Sequence, residues 1–151
     1  MRTLAALLAV TLVAAAARAA DADVDVGPLD RKEVTKADLA PPEKDDKPTA
    51  VDLKGTLRAK VDKGEKRNVY FVICPLGKKG DKGADWWVQG EVTKDGEKVT
   101  CDAQFGEEEA GSGEYFAVVA VATDKKWRVG EKLTALPAEG SFSKVKIVKR
   151  K

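Results

Sequence analysis

Between Val69 and Gly90 the chain runs through two apolar blocks. Val69-Tyr70-Phe71-Val72-Ile73-Cys74-Pro75 comes first, then a Lys/Gly-rich connection to Ala84, then Asp85-Trp86-Trp87-Val88-Gln89-Gly90. Short runs rich in β-branched and aromatic side chains, stopped by Pro or Gly, predict buried strands. Around them the pattern alternates. Val51, Leu53, Leu57, Ala59 and Val61 share one parity against Asp52, Lys54, Arg58, Lys60 and Asp62, which predicts a half-buried strand with one wet face. Asp62-Lys63-Gly64-Glu65 and Lys94-Asp95-Gly96-Glu97 read as turns, the second as a hairpin between Val92 and Val99. Further strands are expected over residues 114–122, 131–136 and 143–150. About seven strands in roughly 100 residues, without a convincing helix, predict an all-β, antiparallel β-sandwich.

Two of these strands are apolar on both parities. Val69, Phe71 and Ile73 oppose Tyr70 and Val72, and Tyr115, Val119 and Val121 oppose Phe116 and Val118. A half-solvated sheet alternates cleanly, so a doubly apolar strand predicts that its second face is covered as well. The candidate covers are the preceding acidic segment, a second copy, a different partner, or the sandwich's own loops.

The first 50 residues have a different texture. Met1 to Ala20 begins with Arg2, continues as an apolar run from Leu4 to Ala17, and ends on Ala17-Arg18-Ala19, the pattern of a cleaved secretory signal peptide. Residues 21–50 hold nine acidic and five basic residues with four prolines. Few large apolar residues occur there, and the segment is expected to be a flexible linker with at most a short helix over 30–39. Residues 51–151 form the expected domain and carry 20 basic against 16 acidic residues. The chain is therefore expected to be secreted or periplasmic, with no membrane attachment after cleavage. A near-balanced body gives no reason to expect nucleic-acid binding.

The signal peptide sends Cys74 and Cys101, the only two cysteines, to an oxidising compartment, where an even count favours a disulfide. Their parities pull the other way. Cys101 shares its side with Val99, Ala103 and Phe105, whereas Cys74 shares its side with Tyr70 and Val72. A bridge requires the two strands to present those sides to each other within about 7 Å.

Histidine is absent, which removes the commonest general base and the Ser-His-Asp arrangement. Two cysteines without histidine do not make a zinc set, and Asp81 and Asp85 lack calcium-ligand spacing. Glu107, Glu108, Glu109 and Glu114 surround a Gly-rich turn and read as solvated charge rather than a glycosidase pair. No enzyme activity, cofactor or metal is expected.

The order of Pro75 closing an apolar strand, Trp86-Trp87-Val88-Gln89, Phe105-Gly106, Gly113-Glu114-Tyr115-Phe116, Leu136-Pro137 and a final strand resembles small immunoglobulin-like or fibronectin-like modules of bacterial extracytoplasmic proteins. Trp86 follows Cys74 by 12 residues, as the strand C tryptophan of that fold would, but Cys101 comes too early for the usual second cysteine. The resemblance implies a non-enzymatic interaction module.

Neighbouring residues in a strand point to opposite faces. Trp86 is expected in the core with Val88, and Trp87 on the outer surface beside Gln89. The candidate binding residues are accordingly Trp87, Gln89, Tyr70 and Val72. They would mediate protein binding or self-association through one sheet face; alternatively, Trp87 would serve as a carbohydrate stacking platform with Gln89 as its polar contact.

Overall fold

The computed structural model describes residues 23–40, 43, 47–83 and 85–151. The expected signal peptide, residues 1–20, lies outside them. The strands are β1 (Asp23–Pro28), β2 (Thr49–Val51), β3 (Lys54–Lys60), β4 (Asn68–Gly77), β5 (Trp86–Val88), β6 (Thr93–Asp95), β7 (Lys98–Gln104), β8 (Tyr115–Thr123), β9 (Lys132–Leu133), β10 (Ser141–Phe142) and β11 (Lys146–Arg150), with a 3₁₀ turn at Lys36–Leu39. They form a four-stranded sheet ordered β1-β3-β7-β6 and a larger sheet ordered β2-β11-β8-β4-β5-β9, with β10 pairing β8. No described helix is long and apolar enough to cross a membrane.

The all-β sandwich is as expected, but the sheets are mixed rather than purely antiparallel. β1 pairs β3 in parallel and β2 pairs β11 in parallel. Both exceptions come from the segment expected to be a linker. Val24 and Val26, alternating with Asp23 and Asp25, are buried against Leu57 and Ala59. Period-two alternation over only four residues suffices here because β3 offers a ready-made edge to pair with. The strand expected from Val51 onward is also divided. Val51 ends β2 in the large sheet, whereas Leu57 and Ala59 belong to the small one.

Phe71, Ile73, Phe116, Val118, Ala120 and Val148 from the large sheet meet Leu57, Ala59, Val99, Cys101 and Ala103 from the small one, and form the core between the sheets. The other parity of β4 and β8, Val72, Cys74, Ala117, Val119 and Val121, builds a second apolar cluster on the outer face of the large sheet. The chain covers that face itself. Val34 and Leu39 from the 3₁₀ region, Trp127, and Leu136, Phe142 and Val145 from the stretch around β10 pack onto it. The doubly apolar strands are thus explained by a third layer of irregular chain, and Val72, fully buried beneath it, is not a surface residue.

The expected Cys74–Cys101 disulfide is not formed. Cys101 sits in the core between the sheets and Cys74 in the cluster on the far side of the large sheet. The backbone of that sheet separates them, and no turn of a side chain brings the sulfurs into register. Burial, helped by the charge of Asp102, pushes the Cys101 thiol up to about 12.

Candidate functional site

Trp86 and Trp87 lie on opposite faces of β5, with Trp86 buried and Trp87 42% exposed. Trp86 is inside and Trp87 outside as expected, but Trp87 does not share the face of Tyr70 and Val72. Trp86 joins the outer cluster with Val88, while Trp87 stands opposite Ile73 and therefore shares the face that looks toward the small sheet. It escapes burial because the two sheets part at this flank.

Beside Trp87 the chain crosses from one sheet to the other. After Val88 the chain leaves the large sheet: the Gln89 amide donates to the Phe71 carbonyl (2.9 Å), and the Gly90 amide donates to the Asp102 carbonyl of β7 (3.2 Å). A Cβ on Gly90 would stand 2.8 Å from that Asp102 oxygen, closer than van der Waals contact allows, so the crossing requires glycine. Gln89 completes the tie. Its Nε2 donates to the Trp87 carbonyl (3.0 Å), and its Oε1 accepts from the Gln104 amide (3.0 Å). It is 8% exposed and holds the sheets together rather than offering a free polar contact.

A cleft of about 860 Å³ opens at this flank. Ile73 and Phe116 line its inner part, Trp87 and Val129 its apolar side, and Lys54, Asp102 and Glu107 its polar side. Val129 is 60% exposed at the tip of a tightly tied turn. The Glu131 carboxylate accepts from the Arg128 amide (2.7 Å), the Glu131 amide donates to the Arg128 carbonyl, and Gly130, at φ +81°, donates to the Val88 carbonyl (2.9 Å).

The opposite wall is set by Arg150. Its guanidinium, buried behind residues 105–111, donates to the carbonyls of Phe105 (3.1 Å), Glu107 (2.5 Å), Ala110 (2.6 Å) and Glu108 (3.4 Å). The loop closes around it only because Gly106 and Gly111 adopt positive φ. A Cβ on Gly111 would stand 2.9 Å from Arg150 Nη1. Glu107, Glu108 and Glu109 are exposed on this loop, and Glu114 is half-buried beyond it. Among the described residues no group of three or more His, Cys, Asp and Glu side chains could hold a metal.

The four expected binding residues do not form one site. Trp87 and Gln89 both line the cleft, but Tyr70 lies on the other face of the sheet. Its ring packs on Trp127 (4.9 Å between centroids), and its hydroxyl accepts from the Trp127 amide (3.0 Å). Val72 is buried on that same face. Sequence reasoning missed Val129 and Arg150. Both left a trace: Val129 is a lone aliphatic in the charged stretch Lys125 to Glu131, and Arg150 stands at the inward parity of Val148. Comparisons with protein-family models, curated proteins and solved structures return no match.

Proposed function

We infer that this chain is a secreted or periplasmic, non-catalytic module of immunoglobulin-like kind that binds another protein through the cleft between its sheets. One observation carries the reading: the two exposed large hydrophobic side chains among the described residues, Trp87 and Val129, converge on one cleft. Exposed apolar groups that meet at a concave, rigidly held place are the composition of an interaction anchor, and tryptophan is the residue type most enriched among binding hot spots. The outer face carrying Tyr70 and Val72 is no part of the surface, since the chain's own third layer occupies it.

Photo-crosslinking from position 129 in the secreted material tests this. A crosslinked protein adduct is expected, and Trp87→Ala should reduce it about 30-fold, as loss of a central anchor does. No adduct, or one indifferent to residue 87, would refute it. The carbohydrate reading keeps support from the exposed Trp87 ring alone. It is weakened because the amides of Gln89 and Gln104 are already engaged, the latter donating to the Gly106 carbonyl (2.9 Å). Tryptophan fluorescence that responds to an oligosaccharide panel, but no protein adduct, would replace the first reading with the second.

A further inference from the structure

We propose that Ala103, with Gly55 beside it, determines what the cleft admits: the two small residues hold its floor open for an apolar side chain of the partner protein, where a core residue would otherwise stand. This rests on the protein-binding reading above and names the residues that govern it and the group that enters. On the inward side of β3 and β7, Ala59 pairs with Val99, Leu57 with Cys101 and Gly55 with Ala103. The first two pairs sit in the core with Phe71, Val118, Ala120 and Val148, and none of their residues lines the cleft. The third pair is the smallest, and it borders the cleft together with Ile73, Pro75 and Phe116 of the large sheet. Phe105, next at the same parity, packs edge-on against Phe116 (5.8 Å between centroids). The layer is filled there and opens toward Trp87.

Backbone conformation does not demand these small residues. Gly55 is not at positive φ, and the interior of a strand favours β-branched residues over glycine and alanine. A larger apolar side chain at position 103 would pack against Ile73 and Phe116 and stabilise the fold. The fold is thus held below its stability optimum where the core meets the exposed Trp87 and Val129, as proteins are where function needs an open surface. Glycine inside a strand is also a mark of close approach by a ligand or another chain. The entering group is apolar because the floor offers nothing else. Lys54, Asp102 and Gln104 alternate to the outer face of the small sheet, and Glu107 is exposed on its loop. The Gln89 side chain and the Gly90 amide are already bonded. Charge therefore stands at the rim, and Ile73, Pro75, Phe116 and Ala103 make the floor.

Substitutions at position 103 of the intact protein separate room from stability. Ala103→Val is expected to raise the melting midpoint by about 4 °C. The same change at Ala59, equally buried at 6% exposure but away from the cleft, should lower the midpoint by overpacking. The adduct formed from position 129 should fall about tenfold in Ala103→Val and further in Ala103→Leu. Ala103→Gly should lower the midpoint and leave the adduct intact. Stability and binding then move in opposite directions, which a residue serving the fold alone would not produce. An adduct undiminished in Ala103→Val and Ala103→Leu, or a midpoint lowered by Ala103→Val, would overturn the proposal while leaving the protein-binding reading standing. No adduct from the native chain would overturn both.

Discussion

Glu65 carries the most perturbed carboxylate among the described residues. Its Oε1 accepts from the Arg67 backbone amide (3.0 Å) and Nε (2.8 Å), its Oε2 accepts from Nη2 (2.8 Å), and Arg67 in turn reaches Ser141 on β10. Bonding to Arg67 holds the carboxyl down from its ordinary 4.5 to about 2. A depressed carboxylate stabilises the fold above the unfolded value and loses that contribution as pH falls through the folded one. The window is therefore pH 4.5 to 2. Urea midpoints should fall across it more steeply for the native chain than for Glu65→Gln, with the difference largest at pH 7 and closing near pH 2. Parallel curves would contradict this. The Glu65 to Arg67 pairing has no periodic signature, since residues two apart in sequence meet only once the turn has formed. The cysteines are the opposite case: the disulfide expected from an even count in an oxidising compartment does not form, and the physical reason, side chains of opposite parity, was already visible in the sequence.

At the scale of elements, β4, β7, β8 and the hairpin at Gly96 were legible because their patterns are long or their turns specific. The hairpin forms, but its two-residue loop is Gly96-Glu97 rather than Asp95-Gly96: Asp95 stands opposite Lys98, and Gly96, at φ +60°, takes the first loop position. β5 was legible as a strand with Trp86 inside and Trp87 outside, but not in its register against β4. Three residues cannot tell which face of the neighbouring strand each side joins when both of those faces are apolar. Residues 105–111 show what pattern reading overlooks: an irregular loop is held by a guanidinium donated from a distant strand. Arg150→Met keeps much of the side chain's bulk but leaves the carbonyls of Phe105, Glu107 and Ala110 without their charged donor. It should cost about 3 kcal/mol, seen as a lowered denaturation midpoint together with loss of hydrogen-exchange protection from Gly106 to Glu114. Arg150→Lys should recover only part of this, because an ammonium lacks the planar fork of donors. Unchanged protection in Arg150→Met would show that the loop holds without the clamp.

For the whole molecule, the described residues 23–40 and 47–51 act as a strap rather than a linker. It pairs β3 on the small sheet, bridges Arg31 to Phe142, lays Val34 and Leu39 over the outer face, and ends beside β11. Composition averaged over thirty residues hid this. Val24, Val26, Val34 and Leu39 are few, but each lands in a slot that the rest of the fold has already built. Val24→Asp places a charge where the valine is 1% exposed, and it should destabilise the protein by about 3 kcal/mol or more. Exposed Asp25→Ala should change stability by less than about 0.5 kcal/mol. Equal midpoints for Val24→Asp and the native chain would mean that β1 contributes nothing.

β11 lies inside its sheet, one strand from the edge, flanked by β2 from near residue 50 and by β8, and its Arg150 plugs the 105–111 loop. Residues 49–51 and 148–150, about 100 positions apart in sequence, are therefore neighbours. Without Lys146 to Arg150 there is an unfilled slot between two strands and a cleft wall with no support, so one short segment both closes the large sheet and props the wall of a site it does not touch directly.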